Sequence, residues 1–150
     1  MKNLFFLLCL VFCVACDATG PSDTEFSVHK MNNLVDVTVK TKTTRQGLEI
    51  NLSVKNIAGF TLYPTSSAIN IRVTDYADDL WNFDDNYFIN HYWQNGLANN
   101  FSYAKTYTIE NYYIPAEIHR GKVYITVNLT NYSGTYSQPL EIGVEFQFDN

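Results

Sequence analysis

Apolar and polar residues alternate along most of this chain, and this period of two restricts the fold more than any other feature. The clearest case is a run near the carboxyl end with an apolar side chain at every second position: Val123, Ile125, Val127 and Leu129. Successive side chains of a β-strand point to opposite faces of the sheet, whereas a helix would need a period of 3.6. The pattern therefore predicts strands that each bury one face.

Similar alternation occurs in several other stretches. Residues 35–39 and 48–54 are joined by the polar segment TTRQG, in which Gly47 can adopt a positive φ, so an antiparallel hairpin is predicted there. A short strand is predicted from Phe60 to Tyr63, closed by Pro64. The remaining predicted strands cover residues 69–73, 105–113 and 140–148. Helices are expected to be absent.

About seven or eight strands with one apolar face each predict an all-β fold, namely an antiparallel two-layer β-sandwich. Parallel α/β folds are excluded because they need crossover helices. All three cysteines fall at or before residue 16, so a disulfide framework is excluded as well. The 46% hydrophobic content must therefore stabilise the domain through burial alone.

The first sixteen residues, MKNLFFLLCLVFCVAC, have the order of a secretory signal: Lys2, an apolar run from Leu4 to Ala15, and a small residue before Cys16. The run is shorter than the ~20 residues that span a bilayer. The segment CVAC resembles the lipobox of bacterial lipoproteins, with Cys13 where leucine is usual. The resemblance implies cleavage before Cys16 and lipid on that cysteine. An ordinary signal cut nearby, leaving Cys16 as a thiol, is the alternative.

This interpretation divides the chain into a signal peptide (1–15), a lipidated cysteine with a flexible tether (16–25) and a sandwich domain (26–150). It predicts a lipid-anchored protein of the bacterial envelope, on the outer membrane or the outer face of the cytoplasmic membrane. Without Lys2 the mature chain has nine basic and fifteen acidic residues, a net charge of 9 − 15 = −6. Nucleic acid is therefore not an expected partner, and membrane contact is expected through the acyl chains rather than the protein surface.

The alternation fails from Asp75 to about Tyr103, where we expect a wide loop or one irregular edge strand. Its segment 75–93, DYADDLWNFDDNYFINHYW, mixes aromatic residues with carboxylates and amides. Such a mixture suits a sugar site, because rings stack on pyranoses, and it equally suits a protein hot spot. The candidate binding residues are Trp81, Phe83, Tyr87, Tyr92 and Trp93. The alternative is that Trp81 and some of the others plug one end of the core, which leaves Tyr87, Tyr92 and Trp93 as the better exposed candidates.

Four aspartates of this segment could gather around calcium: Asp78, Asp79, Asp84 and Asp85. The regular spacing and glycine of a calcium loop are missing, and solvated aspartates are common in turns. The histidines are widely separated, at His29, His91 and His119, so zinc is not expected. No serine has the context of a catalytic nucleophile, and the chain is predicted to be neither an enzyme nor a cofactor protein.

Residues 51–81 resemble an immunoglobulin-like domain of the bacterial intracellular proteinase inhibitor family. The corresponding motifs are Val54 to Asn56, Leu62 to Ser66, Val73 to Asp75, and Leu80 with Trp81. The resemblance implies that the predicted fold is an antiparallel immunoglobulin-like β-sandwich of about seven to eight strands, with proteinase inhibition as a subsidiary hypothesis.

Together these features predict a non-enzymatic lipoprotein that binds another envelope or surface protein. A glycan-binding module that uses the aromatic stretch is the alternative.

Overall fold

The computed structural model describes residues 24–76 and 78–148. The predicted signal peptide, Cys16 and the tether up to residue 23 lie outside this part of the chain. Eight strands occur in the described residues: β1 (Glu25–Met31), β2 (Val35–Thr44), β3 (Gly47–Asn56), β4 (Tyr63–Thr74), β5 (Asp79–Asp84), β6 (Ser102–Glu110), β7 (Arg120–Thr130) and β8 (Leu140–Gln147). One α-helix, α1 (Asn86–Tyr92), follows β5, and a single 3₁₀ turn covers Asn111–Tyr113.

The strands form two antiparallel four-stranded sheets, in the orders β1-β2-β3-β6 and β5-β4-β7-β8. The chain changes sheet after β3, after β5 and after β6, so that β3 pairs with β6 and β4 pairs with β7. These connections between non-consecutive strands are typical of immunoglobulin-like sandwiches. The predicted all-β sandwich is confirmed.

The core lies between the two sheets and consists of the residues that the period of two predicted to face inward. In β7 the side chains alternate strictly between buried and half-buried, and in β8 between buried and exposed. The predicted inward residues of β2, β3 and β4 are also buried. The largest fully buried side chains include Leu48, Ile50, Ile69, Ile71, Ile125, Leu129, Ile142 and Phe146.

The predicted β2–β3 hairpin is present, with a shorter connection than the sequence suggested. Val35 pairs with Asn56 at one end and Thr44 pairs with Gly47 at the other, so only Arg45 and Gln46 form the turn. Gly47 adopts a φ of 148°, and a Cβ there would collide with the carbonyl oxygen of Ile109. The predicted positive φ is therefore confirmed, and close packing against β6 also requires the glycine.

Two local predictions were wrong. Phe60 to Tyr63 is not a strand closed by Pro64: β4 begins at Tyr63 and continues through Pro64, which lies where the pairing with β7 becomes irregular and tolerates a missing N–H. The expected absence of helices was also wrong, since α1 is present. The sequence did not predict this helix because its seven residues are too few to show a period of 3.6. Within residues 24–76 and 78–148, no helix is long and apolar enough to cross a membrane.

The two ends of the sandwich carry different connections. The described chain starts at the end where Glu25 pairs with Lys42, close to the β2–β3 turn, which we call the entry end. The 3₁₀ turn lies at the same end, since Glu110 pairs with Gly47. The other end, which we call the loop end, carries three connections of six or nine residues: 57–62, 93–101 and 131–139.

Candidate binding site

The loop end is formed by three stretches that contain no Asp, Glu, Lys or Arg. They are residues 56–71, 86–104 and 123–140, with His91 as their only titratable nitrogen base. Each stretch supplies one of the three connections at this end. In a chain with 17% charged residues, the result is a surface of aromatic, amide and hydroxyl groups.

The aromatic side chains of this surface include Phe60, Tyr63, Trp93, Tyr132 and Tyr136, and the exposed Phe101 lies in the same connection as Trp93. Phe60 packs edge-on to Tyr136 with 6.5 Å between ring centroids, and Tyr63 packs edge-on to Tyr132 at 5.5 Å. Tyr132 is 87% exposed and Trp93 is 63% exposed. These pairs join the β3–β4 and β7–β8 connections while leaving large ring surfaces in contact with solvent.

Two grooves run along these rings. The first, of about 380 Å³, is lined by Phe60, Thr61, Tyr63, Asn131, Tyr132 and Ser133. The second, of about 410 Å³, shares Tyr63, Asn131 and Tyr132 with the first and adds Trp93 and Gln94. The Tyr63–Tyr132 pair is therefore a ridge between the grooves, and no charged residue lines either of them.

Asn56, a buried residue at the end of β3, fixes the conformation of the β3–β4 connection through hydrogen bonds. Its Nδ2 donates to the carbonyl oxygens of Phe60 at 2.8 Å and Leu97 at 2.7 Å, and its Oδ1 accepts from the backbone N–H of Ala58 at 2.9 Å. One amide thus satisfies backbone groups of two connections at once. The position of Phe60 in the first groove depends on this side chain.

Gly96 places the turn that carries Trp93 against the β3–β4 connection. Its φ is 65° and its N–H donates to the carbonyl oxygen of Tyr92 at 2.9 Å, which closes the end of α1. A Cβ here would collide with Thr61 Cγ2 and would lie 2.7 Å from the carbonyl oxygen of Leu62. Both the left-handed backbone and the close packing require glycine.

Asp85 fixes the beginning of α1. The residue is 3% exposed, and its Oδ1 accepts from the backbone N–H groups of Tyr87 and Phe88. This is the N-cap arrangement, which satisfies two of the amide groups that a helix leaves free at its start. The cap explains why this short segment is helical after an edge strand.

Three side chains of β6 also donate to Asp85. The hydroxyls of Tyr103 and Tyr107 each lie 2.5 Å from Oδ2, and Lys105 Nζ lies 3.0 Å from Oδ1. Burial alone would raise the pKa of Asp85, but these donors and the Phe88 amide outweigh it and hold the pKa below its ordinary value. Burial and the neighbouring carboxylate raise the pKa of both tyrosines. The carboxylate is fully paired, which favours a structural role.

Asn131 organises the β7–β8 connection from within. Its Oδ1 accepts from the backbone N–H groups of Thr135 and Tyr136, and its Nδ2 donates to Thr135 Oγ1 at 3.1 Å. The Thr130 hydroxyl donates to the carbonyl oxygen of Tyr136 at 3.0 Å. Although Asn131 lines both grooves, its hydrogen-bonding capacity is used inside the loop.

Other polar groups of the grooves are free to meet a ligand. The hydroxyls of Tyr63 and Tyr132, Trp93 Nε1 and the Gln94 amide make no hydrogen bond to residues 24–76 or 78–148. This surface therefore presents aromatic rings and a few free hydrogen-bonding groups to a ligand.

The five candidate residues from the sequence are split between core and surface. Trp81 and Phe83 lie on β5 opposite the inward Val73 and Ile71, and both are half-buried against the core. Both residues therefore pack on the core from an edge strand rather than lining a loop.

The other three candidates belong to α1 or the turn after it. Tyr92 is half-buried, with its ring 4.7 Å from that of Phe88, whereas Tyr87 is exposed and stacks on His91 at 5.6 Å. Of the five candidates, only Trp93 lines one of the two grooves.

The sequence interpretation missed Phe60, Tyr63, Tyr132 and Tyr136. They belong to two segments that are far apart in the chain, and the segment NYSGTYSQP was treated only as a polar connection. Two features could have marked it: the Tyr, Ser, Gly and Asn composition that is typical of binding loops, and the absence of charge from residue 123 to residue 140.

The calcium candidates do not converge. Asp85 is occupied as described, Asp84 accepts from Ser67 at 2.6 Å, and Asp79 lies 3.4 Å from an Arg72 nitrogen. The part of the chain that the structure describes contains no group of three or more His, Cys, Asp or Glu residues that could hold a metal ion.

The fold and site thus define an immunoglobulin-like sandwich with an uncharged, aromatic loop end. No protein-family model, curated protein or solved structure matches the chain.

Proposed function

We propose that this chain is a lipid-anchored, non-enzymatic module of the bacterial envelope that binds another protein through its loop end. The observation that carries the proposal is the set of five aromatic side chains around two uncharged grooves. They lie on three adjacent connections at one end of an immunoglobulin-like sandwich, where loops are supported by a rigid scaffold.

The composition of this end favours protein recognition. Tyrosine and tryptophan supply large contact areas with little loss of side-chain entropy, while Ser, Gly and Asn adapt their hydrogen bonds to a partner. The loop NYSGTYSQP has this composition, and Tyr132 presents an almost fully exposed ring. Exposed aromatic residues at the centre of a patch are also the usual hot spots of interfaces.

A glycan is the second candidate, because Trp93 and Gln94 lie beside the Tyr63–Tyr132 ridge and could stack on and bond to a sugar ring. A protein is favoured because a sugar presents many hydroxyls that need partners. In the grooves, Asn131 and Thr130 are already used within the β7–β8 connection. Besides ring surface, the two tyrosine hydroxyls, Trp93 Nε1 and the Gln94 amide remain, which is a small set of partners for the dense hydroxyls of a sugar.

The anchor follows from the lipobox resemblance, with lipid on Cys16. The described chain begins at the entry end, opposite the loop end, so a tether from Cys16 would present the grooves away from the membrane. Replacing Cys16 with serine should move the protein from the membrane fraction to the soluble fraction. Continued membrane association of Cys16→Ser would contradict lipid anchoring.

The partner is tested by crosslinking intact envelopes that carry the wild-type chain, Tyr132→Ala or Tyr112→Ala. Tyr112 is the matched control, because it is 89% exposed and lies at the entry end. A crosslinked protein that is captured by the wild type and by Tyr112→Ala, and is lost with Tyr132→Ala, is expected. Capture that does not depend on Tyr132 would place the interface elsewhere.

A further inference from the structure

We infer that the two grooves bind an extended, uncharged, proline-rich segment of the partner protein, with the chain crossing the Tyr63–Tyr132 ridge. This inference rests on the proposed function and specifies the chemistry of the partner. It has three supports: the charge of the surface, the hydrogen-bonding groups that the grooves leave free, and the aromatic lining of the grooves.

The charge of the surface excludes strongly charged segments. Neither groove contains an ionisable side chain other than the tyrosines, so nothing there can pair with a charged group that loses its water on binding. Burying an unpaired charge is costly, whereas an uncharged segment avoids this penalty. The complementary partner is therefore uncharged where it enters the grooves.

The free polar groups of the grooves include several donors that can meet the carbonyl oxygens of a bound backbone. Trp93 Nε1 can only donate, whereas the Tyr63 and Tyr132 hydroxyls and the Gln94 amide can donate or accept. The acceptor best placed within the loop, Asn131 Oδ1, already accepts two backbone N–H groups. A proline-rich segment has free carbonyl oxygens and lacks the backbone N–H at every proline.

The aromatic lining of the site favours a polyproline II helix, because aromatic-lined grooves are the usual docking surface for this conformation, whose low entropy lowers the cost of binding. Such a helix advances about 3.1 Å per residue with three residues per turn, so successive turns can enter two adjacent grooves that share the Tyr63–Tyr132 pair.

A bound β-strand would need a free sheet edge, and the β8 edge is covered. Lys30 Nζ and the Thr43 hydroxyl donate to the carbonyl oxygens of Glu141 and Gln147, and the Thr41 hydroxyl donates to that of Glu145. These contacts come from the opposite sheet and occupy three of the carbonyl oxygens that an added strand would pair with. Strand addition at this edge is therefore disfavoured.

The experiment titrates the mature chain in phosphatidylcholine nanodiscs with decaproline that is acetylated and amidated to remove its end charges. Binding is followed by tryptophan fluorescence and by NMR shifts of the aromatic side chains. Saturable binding that perturbs Trp93 and Tyr132 is expected. Affinity should fall about tenfold or more in Trp93→Ala and in Tyr132→Ala, and should stay unchanged in Tyr112→Ala.

Two comparison ligands of similar length define the chemistry: a capped Gly-Ser decapeptide and cellohexaose. Weaker binding of both than of decaproline supports the inference. Absence of decaproline binding, equal binding of the Gly-Ser peptide, or preferred Trp93-dependent binding of cellohexaose overturns it. If decaproline fails while envelope crosslinking still depends on Tyr132, this inference falls and the proposed function stands.

Discussion

At the scale of single residues, Asp85 connects the aromatic segment to the sandwich. Its carboxylate lies between the start of α1 and the inward side chains of β6, and it accepts from two backbone amides, two tyrosines and one lysine. A buried carboxylate is tolerated because every lone pair has a donor. Removing its charge should therefore disturb the helix and the core together.

We predict that Asp85→Asn lowers the free energy of unfolding by about 3 kcal/mol, as expected for breaking a buried pair and leaving Lys105 without its counter-charge. The measurement is urea unfolding of the wild-type and variant chains. Asp79→Asn is the control, because Asp79 pairs with Arg72 at the surface and should contribute less than about 1 kcal/mol. Equal effects of the two variants would contradict a special role for Asp85.

The dependence of stability on pH should have two limbs. The pKa of Asp85 is lowered in the folded state, so its contribution is present above about pH 4 and is lost as the pH falls below that value. The pKa values of Tyr103 and Tyr107 are raised, so their contribution is present below about pH 10 and is lost as the pH rises above it.

Urea midpoints measured from pH 2 to pH 11 would show both limbs. Asp85→Asn should flatten the acid limb, and Tyr107→Phe should flatten the alkaline limb, because each removes a group whose pKa differs between the folded and unfolded states. An unchanged alkaline limb in Tyr107→Phe would show that the buried hydroxyl does not control alkaline unfolding.

At the scale of elements, the strands could be predicted from the sequence, whereas the candidate binding surface could not. A strand with one buried face has apolar and polar residues in alternation, and residues 123–129 show this period of two. The sequence did not predict the helix α1, because a segment of seven residues has fewer than two full turns. The position of α1 also depends on the contact between Asp85 and β6.

The sequence did not predict the candidate binding surface for a related reason. Tyr63 and Tyr132 are 69 positions apart in the chain and meet only because β4 pairs with β7. Trp93 was selected because it belongs to a dense aromatic segment, but other members of that segment, such as Trp81 and Tyr92, pack on the core. Aromatic density alone does not separate a core residue from a surface residue.

Two glycines in different connections of the loop end form a matched pair. Gly96 and Gly134 both have a positive φ, 65° and 71°, but only Gly96 is packed against other atoms. Gly134→Ala should cost about 1–2 kcal/mol, the usual penalty of a left-handed backbone. Gly96→Ala should cost more, because the added methyl group also displaces Thr61 or Leu62.

Thermal unfolding would rank the two variants. The emission of Trp93 should also change in Gly96→Ala, because the turn that carries it must move. Equal destabilisation by both substitutions would mean that packing at Gly96 is unimportant for the loop end.

At the scale of the whole molecule, charge is distributed unevenly. The sequence has a net charge of −5, yet the three stretches that form the loop end, residues 56–71, 86–104 and 123–140, carry no acidic or basic side chain apart from His91. The charged residues are therefore concentrated on the strands and at the entry end, where they favour solubility. Binding at the loop end should consequently depend little on ionic strength, since no ion pairs are formed there.

The position of the chain entry makes the orientation of the protein under the proposed lipid anchor testable. β2 has ten residues, so the entry and loop ends are separated by about 33 Å. With lipid on Cys16, Tyr112 should lie closer to the bilayer than Tyr132, because the described chain begins at the entry end. A dye attached to Tyr112→Cys should therefore transfer energy to a membrane acceptor more efficiently than the same dye on Tyr132→Cys.

Both tyrosines are almost fully exposed, so labelling should not disturb the core, and each new cysteine would be the only one besides Cys16 in the mature chain. Energy transfer in vesicles gives the comparison, and adding Cys16→Ser to each labelled chain should abolish transfer at both positions. Equal or reversed efficiencies would mean that the domain lies down on the membrane, in which case the grooves would not face a partner beyond it.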